Sequence, residues 1–579
     1  MRRIQIVLAI VAAGVVATPA SAALGLSCST YGELEICSGQ VPSFDGAPLD
    51  VDLTKPLSPR GAGRHPLIVM LHGFGNDKHE WESLTDAGDG GDKWRWNSHW
   101  FASQGYYVLT YTARGFRSAA ADDPHEPKTP AGSSLSLPSG TIHLKHRDFE
   151  IRDTQWLASL AADSFPGINP NWVAVTGGSY GGGESWFQAS RPRWSFPSEA
   201  TGGELPVLQL QVAVPKYGWT DLAYSLAPNG RPVPEGPVGT VKLSYTNVFY
   251  AFGNQDGAFQ PEVHVWKARF DAGEPYDGDP IISEAQHELT EFRSSYHQDE
   301  AWAAQAAGRK VAIYGIQGWT DDLFTAEEAF RQFRTLKQLD PQWPVAVALA
   351  DVGHPRALGK ADTWRRLNTR AFRFLQTHIR GSHEASTGIQ TERTRCAGGR
   401  PGILASATPE GLAGGALTIA YPEGDTLTSL SGNGDPDGFE TDPVAGFVSG
   451  GATCRESTTP QWPGRYTAVS PPLSAAGTYV GIGTVSVPYS LLGGTTATLH
   501  ARVWDVAPSG KTLFVDRGTY RIDFPAGTLE LPLFGNHWRF GAGHRIRLDL
   551  VQIDEPFLRR SNVPSAISFA PPTLTLPTR

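Results

Sequence analysis

Residues 172–183 read WVAVTGGSYGGG, an apolar strand-favouring run that enters a cluster of glycines with one serine inside it. A helix-compatible segment, GESWFQAS, follows at 183–190. Strand, tight glycine turn and helix in that order confine the segment to one edge of an α/β sheet. Gly177 to Gly181 satisfies G-x-S-x-G, a weak match by itself in a chain with 64 glycines. The flanking strand and helix supply the setting in which such a turn exposes a nucleophilic serine hydroxyl at the C-terminal edge of the sheet. A phosphate-binding loop would need G-K-[ST], and there is no lysine in the segment. A dinucleotide fingerprint needs G-x-G-x-x-G, which these glycines do not supply in register. A flexible linker does not fit directly behind a buried strand.

Between about 65 and 380, short apolar runs alternate with longer mixed segments. Strands are predicted at 66–71 (PLIVML), 106–111 (YYVLTY), 172–176, 207–214 (VLQLQVAV), 311–316 (VAIYGI) and 343–350 (WPVAVALA). A helix is predicted over 146–165, where apolar residues at 149, 156, 157, 160 and 161 share one face. Continuous apolar strands alternating with helices imply a mostly parallel sheet covered on both faces. Residues 220–305 break the rhythm and end in helical stretches such as 282–307, as an inserted cap would. After about 390 the helical period disappears. Short runs at 498–503, 512–515, 528–533 and 546–553 are separated by Gly, Pro, Asn and Asp turns. The predicted fold class is α/β, with an α/β-hydrolase sheet and an inserted cap, followed by an all-β sandwich. The predicted boundaries are 1–22 for an export signal, 23–390 for the catalytic unit and 391–579 for the sandwich.

A serine hydroxyl needs a base, best a histidine oriented by a carboxylate. In an α/β-hydrolase the order is serine, acid, histidine. GWTDD at 318–322 follows the strand VAIYGI, and GHP at 353–355 follows WPVAVALA. This makes Ser179 the candidate nucleophile, His354 the base and Asp321 the orienting acid, with Asp322 a competitor for that place. His79, His99, His125, His143 and His146 precede the serine, the wrong order for this triad, and read as surface or core imidazoles. His72 opens HGFG at 72–75, where a strand ends and an oxyanion loop belongs, so the backbone N–H groups of Phe74 and Tyr180 are the candidate oxyanion donors. This chemistry calls for no cofactor and no metal.

Arg2 and Arg3, an apolar stretch over 6–17 and Ala20-Ser21-Ala22 form a signal-peptide pattern. Four cysteines behind such a signal predict two disulfides, and local pairing gives Cys28–Cys37 and Cys396–Cys454. The formal charge of −9 becomes more negative once the two arginines are removed, which gives no support for nucleic-acid or anionic-membrane partners. The expected setting is secreted, with a peptide or a small ester or amide as partner and homo-oligomerisation left open. Two acidic glycine-rich loops, 86–92 (DAGDGGD) and 435–442 (DPDGFETD), read as solvated turns in preference to calcium sites. Trp94, Trp96 and Trp100 read as core or surface residues, or as a pocket lining.

GGSYGG, GWTDD and VGH in this order, with a cap between the first two and a β-rich tail, resemble the X-Pro dipeptidyl-peptidase and cocaine-esterase-like group of serine hydrolases. In the tail, 487–506, 515–523 and 533–550 are similar to that group's jelly-roll domain. The resemblance implies a Ser179–His354–Asp321 triad, an acyl-enzyme, and a dipeptidyl-peptidase-like exopeptidase or an esterase or acylase on small esters and amides. A catalytically silent peptide- or glycan-binding protein is the reading from another class. Members of the group commonly place a tyrosine hydroxyl in the oxyanion hole. This chain has Phe74 in the corresponding loop, which leaves backbone donors for that task.

Overall fold

The computed structural model describes residues 24–579, apart from 60, 83, 85–87, 118–139, 198–202, 232–235, 256–257, 382–386 and 446–453. The predicted signal segment, His125 and Asp86 lie outside the described residues.

Among the described residues the first sheet has twelve strands. It opens with an antiparallel edge, β1 (Ser27–Tyr31), β2 (Leu34–Pro42) and β3 (Pro48–Pro56), in which Cys28 faces Cys37 and the two are joined as a disulfide. β4 (His65–Leu71), a short α1 (Ser98–Ser103) and β5 (Tyr107–Thr112) follow. Next come α2 (Glu150–Ser164), β6 (Ile168–Gly178), α3 (Tyr180–Ser190), the two-residue β7 (Arg193–Trp194) and β8 (Leu208–Lys216). Helix α2 starts four residues later than predicted. Leu144 and Lys145 hold left-handed backbone, and the Glu150 carboxylate accepts the N–H groups of His143 and His146, closing the helix end.

Among the described residues, five cap helices lie between β8 and the next sheet strand: α4 (Leu222–Leu226), α5 (Leu243–Gln255), α6 (Pro261–Ala272), α7 (Pro280–Glu291) and α8 (Asp299–Ala306). The helical stretch expected at 282–307 is therefore two helices. The intervening Arg293 carbonyl accepts the Trp219 indole N–H, and Ser294 and Ser295 are buried. The sheet resumes with β9 (Ala312–Gly318), α9 (Ala326–Leu339), β10 (Val345–Ala350) and α10 (Ala361–Arg380). Helix α10 buries positions 364, 367, 371, 374, 375 and 379 along one stripe and ends at Gly381 in left-handed backbone. β11 (Gly388–Thr391) and β12 (Leu404–Ser406) complete the sheet. β11 thus ends at residue 391, where the sequence reading places the boundary, and β12 lies beyond it.

Strand order is β1-β2-β3-β5-β4-β6-β8-β9-β10-β11-β12, with β7 beside β8. The central pairs from β5 through β11 are parallel. Every residue of β5, β9 and β10 is buried, which is why these strands read as continuous apolar runs.

The C-terminal region holds β13 (Gly415–Ala420), β14 (Asp425–Thr428), a short α11 (Pro436–Glu440), β15 (Arg465–Val469), β16 (Gly477–Gly481), β17 (Thr484–Gly493) and β18 (Ala497–Val506). β19 (Thr512–Ile522), β20 (Ala526–Pro532), β21 (Asn536–Phe540), β22 (Arg545–Val551), β23 (Ala566–Phe569) and β24 (Thr573–Thr578) follow. They form an eight-stranded and a four-stranded sheet, all antiparallel, over a shared core that includes Val485, Val487, Leu499 and Leu548. Cys396 and Cys454 are bridged at its margin.

The loop 435–442 corrects an expectation. Asp435, Asp437 and Asp442 are buried, not solvated. Arg465 and Arg502 close on Asp435, and Arg465 and Arg547 close on Asp437. Guanidinium groups hold the carboxylates where the sequence reading weighed water or calcium.

Candidate active site

Register sets the site before any side chain is considered. Leu71 faces Gly177, Gly178 faces Lys216, and Gly318 faces Ala350, so β4, β6, β8, β9 and β10 all stop at one sheet edge. The loops that leave that edge carry Phe74, Ser179, Tyr217, Asp321 and His354. Such an edge is where open α/β sheets bind ligands.

Ser179 has φ +55° and ψ −111°, a strained conformation for a residue with a side chain. Two backbone bonds hold it there. Its N–H donates to the Lys216 carbonyl at 3.0 Å, and its own carbonyl accepts the Gly183 N–H at 2.9 Å. The five surrounding glycines do not share the left-handed backbone; each is needed for close approach. A Cβ on Gly177 or Gly181 would lie 2.5 or 2.1 Å from the Leu71 carbonyl oxygen. On Gly178 it would meet the Tyr217 hydroxyl at 2.3 Å, on Gly182 the Lys216 carbonyl oxygen at 2.2 Å, and on Gly183 the Trp219 ring at 2.5 Å.

Ser179 Oγ lies 2.7 Å from His354 Nε2. His354 Nδ1 lies 2.9 Å from Asp321 Oδ2, which also accepts the His354 backbone N–H at 3.1 Å. The other Asp321 oxygen accepts the N–H groups of Leu323 and Phe324, both at 3.0 Å. Asp321 is thus the acceptor in four hydrogen bonds, two to each oxygen. The Asp321 hydrogen bond assigns the proton on His354 to Nδ1, leaving the Nε2 lone pair for the serine hydroxyl. Asp322 is turned away. Its carboxylate lies 3.0 Å from Arg356 Nε and 3.7 Å from Arg517 of β19.

Phe74 and Tyr180 both line the cavity beside Ser179. Neither backbone N–H has a hydrogen-bond partner among the described residues; Tyr180 opens α3, where first-turn N–H groups have no helical acceptor. His72 anchors the Phe74 loop. Its Nδ1 donates to the Gly73 carbonyl at 2.7 Å and its Nε2 accepts the Ala113 N–H at 2.8 Å. That pattern requires the neutral ring, and burial pushes its pKa down to about 4. The Gly73 N–H donates to Glu80 at 2.5 Å, fixing the loop from the other side.

The cavity above Ser179 has a volume of about 180 Å³. Phe249, Tyr250, Phe259, Trp266, Phe270 and Phe324 supply much of its wall. Most of these come from the cap at 220–305, the segment expected to make much of the pocket; which of its aromatics line the cavity carries no motif in the sequence. Asp271, the one carboxylate among the described lining residues, lies 2.5 Å from Lys267, also of the lining. Trp94, Trp96 and Trp100 are not part of this wall. Trp96 is buried beneath β6 and donates to Thr176, while Trp100 packs on Phe372. His79 is paired with Asp77, His143 is stacked on Phe149 and His146 on Phe292.

No family model matches the sequence, and no curated protein does. Solved structures do match. An aminopeptidase from the marine sediment archaeon Thaumarchaeota archaeon is 13% identical, with 97% of this chain and 98% of that one covered at a TM-score of 0.59. A CocE/NonD family hydrolase from Staphylococcus aureus is 12% identical, with 96% and 95% covered at 0.60. An alpha-amino acid ester hydrolase is 14% identical, with 99% and 100% covered at 0.59. Sheet, cap and sandwich together therefore have the fold of these CocE/NonD-like serine hydrolases.

Proposed function

We propose that the protein is a secreted serine hydrolase that transfers the acyl group of an uncharged, apolar carboxylic ester or amide to water through an acyl-Ser179 intermediate. The observation that carries this reading is the hydrogen-bonded line Ser179–His354–Asp321 at the floor of an aromatic cavity. His354 Nε2 takes the Ser179 proton as Oγ attacks the carbonyl carbon. The oxyanion is received by the Phe74 and Tyr180 N–H groups, each contributing roughly 3–4 kcal/mol to the transition state. His354 then protonates the departing alcohol or amine, and water completes the cycle in reverse. Asp321 holds the imidazole and balances its positive charge.

The cavity favours the esterase or acylase reading over the exopeptidase one. A dipeptidyl-peptidase must hold a free ammonium, and Asp271 in this wall is closed on Lys267. An apolar cavity of about 150 Å³ accommodates a benzene-sized group, so this one suits an acyl group of at least that bulk. Two disulfides and the signal pattern at 1–22 support export. Among the described residues, no helix is long and apolar enough to cross a membrane.

The test uses p-nitrophenyl esters and anilides of graded acyl size, each with and without a free α-amine. Faster turnover of bulky apolar acyl groups, with a penalty for the free amine, is the expected result. Ala223, on the cavity wall, changed to Phe should lower kcat/KM for bulky acyl groups about tenfold more than for acetyl. Cleavage confined to free-amine dipeptide substrates would replace this reading with the exopeptidase one.

A further inference from the structure

The His354 imidazole sits inside four aromatic rings, all edge-to-face. Phe324 lies at 5.2 Å, Tyr217 at 5.7 Å, and Tyr245 and Phe249 each at 6.3 Å, with interplanar angles between 81° and 87°. Two of these rings belong to the cap. Tyr245 and Phe249 stand four residues apart on α5, which places them on one face. Tyr245 is fully buried, and its hydroxyl donates to the carbonyl of Pro355, the residue directly after His354. Burial holds that hydroxyl well above the usual phenol pKa, so it stays a donor. One turn earlier, Lys242 donates to the Leu323 carbonyl at 2.6 Å, two residues beyond Asp321. The start of one cap helix is thus bonded to the two loops that carry Asp321 and His354.

Resting on the reading of His354 as the base, we propose that Tyr245 is a positioning residue for catalysis. The α5 clamp fixes the His354 loop so that Nε2 stays within reach of Ser179 Oγ, and the cap is a working part of proton transfer as well as a wall for substrate. The 180 Å³ cavity and the base share Phe249, which lines one and borders the other.

The experiment compares full-length wild type with Tyr245→Phe, with Lys242→Met as a second break in the same clamp. Tyr276→Phe is the control, since it removes a cap hydroxyl that donates to the Phe270 carbonyl away from the triad. Readouts are kcat and KM on an aryl ester, the rate of Ser179 phosphonylation by a fluorophosphonate, and the thermal midpoint. In Tyr245→Phe and Lys242→Met, kcat and phosphonylation should each fall about tenfold, with KM within twofold of wild type. Tyr276→Phe should keep wild-type rates at a comparable midpoint. Wild-type rates in both clamp variants, or losses matched by Tyr276→Phe, would overturn the proposal. His354→Ala is run beside them: retained phosphonylation there would remove the base assignment itself, an outcome separate from failure of the clamp.

Discussion

Asp321 and Asp322 are consecutive residues whose carboxylates serve opposite ends of the site. Asp321 accepts His354 Nδ1–H at 2.9 Å, whereas Asp322 closes on Arg356 at 3.0 Å and faces Arg517 of the sandwich at 3.7 Å. One orients the base; the other ties the histidine loop and the sandwich to the same turn.

The two therefore fail differently when neutralised. Asp321→Asn should lower kcat by about 10⁴, because an amide in that place favours the wrong histidine tautomer, with little change in stability. Asp322→Asn leaves two buried guanidinium groups short of a counter-charge and should cost about 3–5 kcal/mol of folding free energy. Its residual kcat should stay well above that of Asp321→Asn. Kinetics and denaturant unfolding on both variants check this; equal kcat losses would contradict the division of roles.

The glycines of GGSYGGG are contact glycines, which makes a second prediction. Gly182→Ala would push on the Lys216 carbonyl, 2.2 Å from the new Cβ, and that carbonyl is the acceptor for the Ser179 N–H. Displacing it displaces the nucleophile, and kcat should fall about 100-fold. Gly398→Ala, with nothing within 4 Å of its Cβ, should stay within about 0.5 kcal/mol and keep wild-type kcat. Stopped assays and thermal melts on the pair would show it.

Legibility divided along physical lines. The parallel strands could be read because burial on both faces leaves runs such as VAVALA, and the order GGSYGG, GWTDD, VGH could be read because each follows such a strand. The edge strands β1 to β3 are not legible: SCSTY and LEICSGQVP are exposed or mixed, and PLDVDLTKP, though buried, interrupts its apolar residues with Asp50, Asp52 and Lys55. The choice between Asp321 and Asp322 depends on loop geometry that spacing does not contain. The buried Arg465, Arg502 and Arg547 pairs with Asp435 and Asp437 were unreadable because their partners lie 28 to 110 residues apart, and a lone charge in sequence reads as solvated. The role of each glycine beside Ser179 was hidden for the same reason, since Leu71 and Lys216 approach from other strands.

The two disulfides should differ in worth. Cys28–Cys37 closes 9 residues and Cys396–Cys454 closes 58. Loop-closure entropy alone assigns them about 2.6 and about 4 kcal/mol. Cys396→Ser with Cys454→Ser should lower the unfolding midpoint more than Cys28→Ser with Cys37→Ser. The reverse order would show that native-state packing outweighs loop entropy here.

Stability should fall on mild acidification. Burial pushes His72, His143, His500 and His537 down to about 4, and His146 to about 3. An unfolded histidine titrates near 6.5. Below that pH the unfolded chain takes up protons that the folded one refuses, so the stability these residues contribute is complete above pH 6.5 and is lost as pH falls towards about 4. Each group contributes up to about 1.4 kcal/mol per pH unit in that window. Asp516 runs the other way. Burial raises it to about 7, so its contribution is present below its unfolded value and is lost as pH rises through about 7. Burial also raises Glu80, Asp153 and Asp442 and lowers His378; among the groups shifted furthest in this window, five imidazoles outweigh one carboxylate and leave a net loss on acidification. His500 is the group to change, since its Nδ1 bonds Thr519 at 2.8 Å inside the sandwich, away from Ser179. Denaturant midpoints at pH 7.5, 5.5 and 4.5 should decline steeply in the wild type, and His500→Gln should decline less steeply, by up to the contribution of one proton. A flat wild-type profile between pH 7.5 and 4.5 would mean that the buried imidazoles are not held neutral.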